Sequence, residues 1–211
     1  MDHTPSIDAL RTALLDISEP VGKRTRAVFY LRSIGSEEAL DILCLALSNK
    51  KDSDLMRHEI AYVIGQMQNS KACSLLTRIL QDTSDDSMVR HEAAESLGAI
   101  GDVSAIPVLE TFSTDPAVEV AQTCILALDL IRYRKEQTEG ALKEKVNVDR
   151  NPYLSVDPAP AAHETVATEE LKRVLLDTSD SLFNRYRAMF SLRNRNDVAA
   201  AQVDIILYTI I

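Results

Sequence analysis

Residues 57–65 read Arg57-His58-Glu59-Ile60-Ala61-Tyr62-Val63-Ile64-Gly65, and residues 90–98 read Arg90-His91-Glu92-Ala93-Ala94-Glu95-Ser96-Leu97-Gly98. The two stretches lie 33 residues apart and agree at five of nine positions. One period earlier, Arg24 opens RTRAVFYLR, with the same apolar spacing and no His-Glu. About 30 residues later, VAQTCILAL from Val120 continues the pattern more weakly. Self-similarity at such a period marks a stacked repeat array.

Within each unit the apolar residues fall at helical intervals. Leu40, Leu43, Cys44 and Leu47 form one stripe, Leu75, Leu76, Ile79 and Leu80 a second, and Ile106, Leu109 and Phe112 a third, with Pro107 near its start. A polar turn follows each (SNKKDSD, QDTSDDS, STDP), and then a second helix. Asp and Ser before these second helices suit N-caps. In LGAIGDVSAIPVL (97–109) two glycines stand at the exit of one helix pair and Asp102 at the entry to the next. Helix pairs that bury their faces only against neighbours form an α-solenoid. The T-P-L-H of ankyrin repeats and the W-x-x-L-G-x-x-Y of tetratricopeptide repeats are missing. The units resemble short HEAT repeats, so the expected fold is all-α, a HEAT-repeat α-solenoid.

A longer self-match aligns residues 10–33 with 171–194 at an offset of 161, with 11 of 24 positions identical. Leu14/Leu175, Asp16/Asp177, Arg26/Arg187 and Phe29/Phe190 are among them. This reads as a duplicated half-protein whose second copy has just begun. Residues 146–168 carry Pro152, Pro158 and Pro160 and little helical periodicity, which suits a stiffened linker. The expected organisation is an N-terminal repeat half over 1–145, a linker over 146–168, and the truncated start of a second half over 169–211. The last segment is expected to dock loosely, and its apolar tail IILYTII to be an aggregation hazard.

The composition narrows the function. Acidic residues outnumber basic ones by 32 to 23, a net charge of −9, which argues against nucleic acid and leaves a basic protein partner open. Six glycines and seven prolines in a chain that is 45% apolar are too few turn formers for a β-sandwich. Cys44, Cys73 and Cys124 are widely spaced and form no CxxC, so a zinc ribbon or thioredoxin-like site is excluded. Reduced, buried thiols in a cytoplasmic protein are expected. The N-terminus lacks a secretory pattern, and no run of about 18 apolar residues occurs, so no membrane partner is expected.

The candidate chemistry rests on His58-Glu59 and His91-Glu92. Equivalent positions of adjacent repeats stack side by side, with neighbouring helices about 8–10 Å apart. Two imidazoles at that spacing can converge on one ion. Two histidines and a carboxylate are a ligand set of non-haem iron(II) centres, and the lack of thiolate favours iron or manganese over structural zinc. The competing reading gives Glu59 and Glu92 to salt bridges between repeats. Arg57 and Arg90 are assigned to such a ladder. His163-Glu164 lies in the expected linker with no Arg before it, and His3 sits at the terminus; neither receives a function.

SDLMRHEIAYVIGQM, SMVRHEAAESLGAIGD and NPYLSVDPAP together resemble deoxyhypusine hydroxylase, from near residue 8 to about residue 195. That family is a HEAT-repeat di-iron monooxygenase that hydroxylates a deoxyhypusine side chain of a translation initiation factor with dioxygen. It carries four His-Glu pairs, two in each half, facing each other across a cleft. The resemblance implies that His58, Glu59, His91 and Glu92 are first-half iron (Fe2+) ligands; because adjacent helical positions diverge by about 100°, Glu59 is expected to reach toward the second metal. The basic hypusine loop suits an acidic partner surface. The 161-residue offset places the second-half pairs at positions 219 and 252, past Ile211. This form is therefore expected to hold one iron weakly through His58, His91 and Glu92, and to be impaired. The alternatives are a non-catalytic HEAT scaffold for a basic protein and a bilin-lyase-like HEAT protein; the doubled RHE segments speak against the latter.

Overall fold

The computed structural model describes residues 5–139, 153–195 and 197–201. His3, the first part of the expected linker and the IILYTII tail lie outside them. The described residues contain ten α-helices and two short 3-10 turns, with no strand among them. Two compact units are distinguished, Met1–Leu128 and Asp129–Ile211. The division falls inside a helix.

In the first unit the helices alternate as the period requires. The first helices of successive pairs are α1 (Ile7–Leu15), α3 (Glu37–Leu47), α5 (Cys73–Gln81) and α7 (Ile106–Phe112). The second helices are α2 (Val21–Ile34), α4 (Asp54–Gln66), α6 (Ser87–Ile100) and α8 (Val118–Glu139). Each apolar stripe is one face of a first helix. Leu40, Leu43 and Leu47 are buried on α3, and Leu75, Leu76, Ile79 and Leu80 on α5. Cys44, expected in this core, is only half-buried. On α7 the buried residues are Val108 and Leu109, while Ile106 and Phe112 are only partly buried.

Side-chain caps set where the second helices begin. The Ser53 hydroxyl accepts from the Met56 amide at 3.2 Å, and the Asp86 carboxylate from the Met88 amide at 2.9 Å. Each satisfies one of the orphan donors of a helix start. Gly101 ends α6 in the left-handed region (φ 79°), where glycine has no steric penalty. Gly98, expected at the same exit, lies inside α6; its missing Cβ admits Ala127 of α8.

A buried arginine ladder runs through the unit. Arg57 Nε donates to the Leu47 carbonyl at 3.2 Å, and its two terminal nitrogens grip Asp85 at 2.6 Å each. Arg24 does the same with Leu14 and Asp52, and Arg90 with Leu80 and Asp115. Each fork joins the end of a first helix, the second helix that carries the arginine, and the turn between the two helices of the next repeat. Bidentate charge-assisted bonds fix such geometry more tightly than single bonds. His58 and His91 each follow a locked arginine, so the ladder also sets their register.

The second unit packs α9 (Thr168–Leu176) against α10 (Leu182–Arg195) around Leu171, Leu175, Ala188, Leu192 and Ala200. Arg185 Nε donates to the Leu175 carbonyl at 3.0 Å. It repeats Arg24 on Leu14 at the 161-residue offset. Residues 153–167 carry no helix, and α10 holds them: Arg187 donates to the Pro160 carbonyl, the Ala162 amide to Ser191, and Arg193 to Asp157.

Candidate metal centre

His58 and Glu59 lie in the first half of α4, His91 and Glu92 in the first half of α6, and the two helices pack directly against each other. The rings of His58 and His91 have their centres 5.4 Å apart. His58 Nε2 is 3.0 Å from Glu92 Oε2, and His91 Nε2 is 3.9 Å from the same oxygen. One ligand atom each from His58, His91 and Glu92 lies within 4.8 Å of the others. Glu59 falls outside this group; its Oε1 is 3.5 Å from His58 Nδ1, on the other side of that ring.

The difference between the two glutamates follows from the stack. Glu92 finds an imidazole, that of His58, at the histidine position one repeat back. For Glu59 the corresponding position is Thr25, which offers no imidazole. Glu92 is also the more buried, only 4% exposed, while the Glu59 side chain is about a third exposed. A carboxylate taken from water needs compensation. Here Oε2 faces two imidazoles and Oε1 has no hydrogen-bond partner, nor does His58 Nδ1.

The two imidazoles are held differently. His91 Nδ1 lies 3.2 Å from the Ser87 carbonyl, an acceptor only, so Nδ1 carries a proton and Nε2 faces the group. A ring oriented through its other nitrogen in this way is the usual support of a metal ligand. The hydrogen bond to Glu92 holds His58 above the ordinary imidazole value of 6.5, against the opposing effect of burial. The proton in that bond stands where a cation would bind. Two imidazole nitrogens and one carboxylate, with a further carboxylate oxygen unpartnered, fit a divalent first-row ion such as iron(II). The thiols take no part: burial pushes Cys44 up to about 11 and Cys124 up to about 12. The third His-Glu pair, His163-Glu164, is also outside the group; His163 Nδ1 contacts the Thr165 hydroxyl at 2.8 Å.

Sequence reasoning missed two features around the site. Asp52 and Asp85, the arginine partners, recur at the 33-residue period and were open to the same comparison as the histidines. The contact of Gly65 with Ser96 had no such signal, since it depends on how closely α4 and α6 approach.

Repeats and site define a HEAT-repeat protein with a candidate His/Glu metal centre. A HEAT-repeat model matches residues 45–129, and a PBS lyase HEAT-like repeat model matches residues 23–49. Over most of its length the chain resembles deoxyhypusine hydroxylase. It is 46% identical over 188 residues to the deoxyhypusine hydroxylase of Drosophila melanogaster, covering 89% of this chain and 59% of the relative. It is 43% identical over 195 residues to that of Homo sapiens, covering 92% and 61%. The solved structure of human deoxyhypusine hydroxylase in complex with glycerol superposes with a TM-score of 0.83 at 43% identity, covering 93% of this chain and 65% of that one. The chain thus spans about three-fifths of the length of the curated relatives it matches. Among the described residues no helix is long and apolar enough to cross a membrane.

Proposed function

We propose that this chain carries one half of an iron-dependent deoxyhypusine hydroxylase, acting in the cytoplasm on a deoxyhypusine side chain of a translation initiation factor. The observation that carries this reading is the convergence of His58, His91 and Glu92, with buried polar atoms left unpartnered, in a chain similar to enzymes of that name. His58, His91 and Glu92 hold the first iron, and Glu59 reaches toward a second. Bound iron supplies the activation of dioxygen. Ser87 keeps the His91 tautomer fixed, the arginine ladder keeps both histidines in register, and burial of Glu92 excludes water from one side of the group. The negative charge of the chain favours approach of a basic substrate loop. In this reading residues 1–145 form the first half, 146–168 the linker and 169–211 the beginning of the second half.

Anaerobic iron(II) titration tests the assignment. The chain is expected to bind iron, and His58→Ala and His91→Ala to abolish binding while keeping the helical circular dichroism. Absence of iron from wild type and variants alike would favour the alternative, a non-catalytic scaffold for a basic protein.

A further inference from the structure

Next to the His58–Glu92 contact, α4 and α6 meet through small residues. His58, Ala61 and Gly65 stand at i, i+3 and i+7 on α4 and share one face; Glu92 and Ser96 stand at i and i+4 on α6. The contacts follow in order along the two helices. His58 Nε2 lies 3.0 Å from Glu92 Oε2. One turn on, the Ser96 hydroxyl donates to the Ala61 carbonyl at 2.7 Å. One turn further, a Cβ placed on Gly65 would lie 2.8 Å from Ser96 Cα and 2.9 Å from Ser96 Cβ. Two carbons do not pack that closely, and Cα belongs to the backbone, so the helices themselves would have to part. Gly65 has ordinary helical dihedrals, and glycine inside a helix costs about 1 kcal/mol relative to alanine. Close approach, not backbone conformation, is what requires it.

We infer that Gly65, with Ser96, is a positioning residue for the metal centre: it sets the separation of α4 and α6 at which His58 reaches Glu92 and His91. This rests on the metal reading above. Ligand atoms about 2.1 Å from a shared first-row ion such as zinc are at most about 4.2 Å apart. The three atoms already spread over up to 4.8 Å, so the site has no slack for a wider interhelical gap. The repeat supplies its own control. A Cβ on Gly98, one period later, would lie 2.8 Å from Ala127 Cα. That steric demand is the same, but it falls between α6 and α8, and α8 contributes nothing to the group.

The test compares Gly65→Ala, Ser96→Ala and Gly98→Ala in the full 211-residue chain. Thermal unfolding is paired with anaerobic iron(II) titration at a temperature where circular dichroism shows each variant folded. Both glycine variants should lower Tm. Gly65→Ala should weaken iron binding by at least about tenfold, the lower range for losing a residue that orients metal ligands. Ser96→Ala, which removes the clamp on Ala61 without adding bulk, should weaken it less, and Gly98→Ala should leave it unchanged. Equal affinity in Gly65→Ala and wild type, or equal losses in the two glycine variants, overturns the inference. If Gly65→Ala does not fold, unchanged affinity in Ser96→Ala overturns it instead. Failure of the wild type itself to bind iron is a distinct result, which removes the metal reading and this inference with it.

Discussion

His58 and His91 are the same residue of successive repeats, and Glu59 and Glu92 follow them identically, yet the four side chains are not equivalent. Glu92 reaches one repeat back to His58, and His91 is turned by the Ser87 carbonyl so that Nε2 faces the same oxygen. Glu59 stays on the far side of the His58 ring. Loss of charge should therefore act unequally. Glu92→Gln should eliminate binding of the first iron. Glu59→Gln should weaken it by about tenfold, as expected for a group that supports a ligand without being one of the three. Isothermal titration under argon separates the two; equal effects would mean that both carboxylates hold the first ion.

Among the helices, the caps decide where the site begins. Ser53 closes the start of α4 five residues before His58, and its removal in Ser53→Ala should cost about 1 kcal/mol by urea unfolding. Iron affinity should be retained, because the Arg57 fork on Leu47 and Asp85 still fixes the helix register. The helices also show what could be read from residues alone. Ser53 and Asp86 were legible as caps because side-chain oxygens before an apolar-periodic run have one local use. The stripes on α3 and α5 were legible because burial follows a 3.6-residue period. Gly98 was not: in sequence a glycine near the end of a helical pattern looks like a terminator, and only the approach of Ala127 shows it to be an interior contact. The histidines were legible through the 33-residue period, and Glu59 could already be set apart from Glu92; what was not legible is the packing that buries Glu92 against His58 and leaves Glu59 a third exposed.

Across the first unit as a whole, the three arginine forks make stability depend on acid. Hydrogen bonds from Arg57 and Arg90 hold the Asp85 and Asp115 carboxyls below their ordinary value of 3.8. Burial pushes Asp52 up, but the hydrogen bonds and charge of Arg24 outweigh it and the net direction is again down. A carboxyl whose folded value lies below its unfolded one stabilises the fold at pH above the unfolded value. That contribution disappears as pH falls through the folded one, because the unfolded chain then takes up the proton more readily. The contribution of the forks to the urea midpoint should therefore be constant from neutral pH to about pH 5 and fall steeply below about pH 4. The pairs are shielded from solvent, so added salt should shift this limb little. Arg57→Ala should lower the midpoint at neutral pH, costing about 3–5 kcal/mol as a buried pair losing one partner. It should also make the acid limb shallower, since Asp85 no longer gains from ionisation in the folded state. A mutant curve parallel to that of the wild type down to about pH 3 would show that the forks do not govern the acid response. The fall would then have to come from the exposed carboxylates, whose contribution salt does screen.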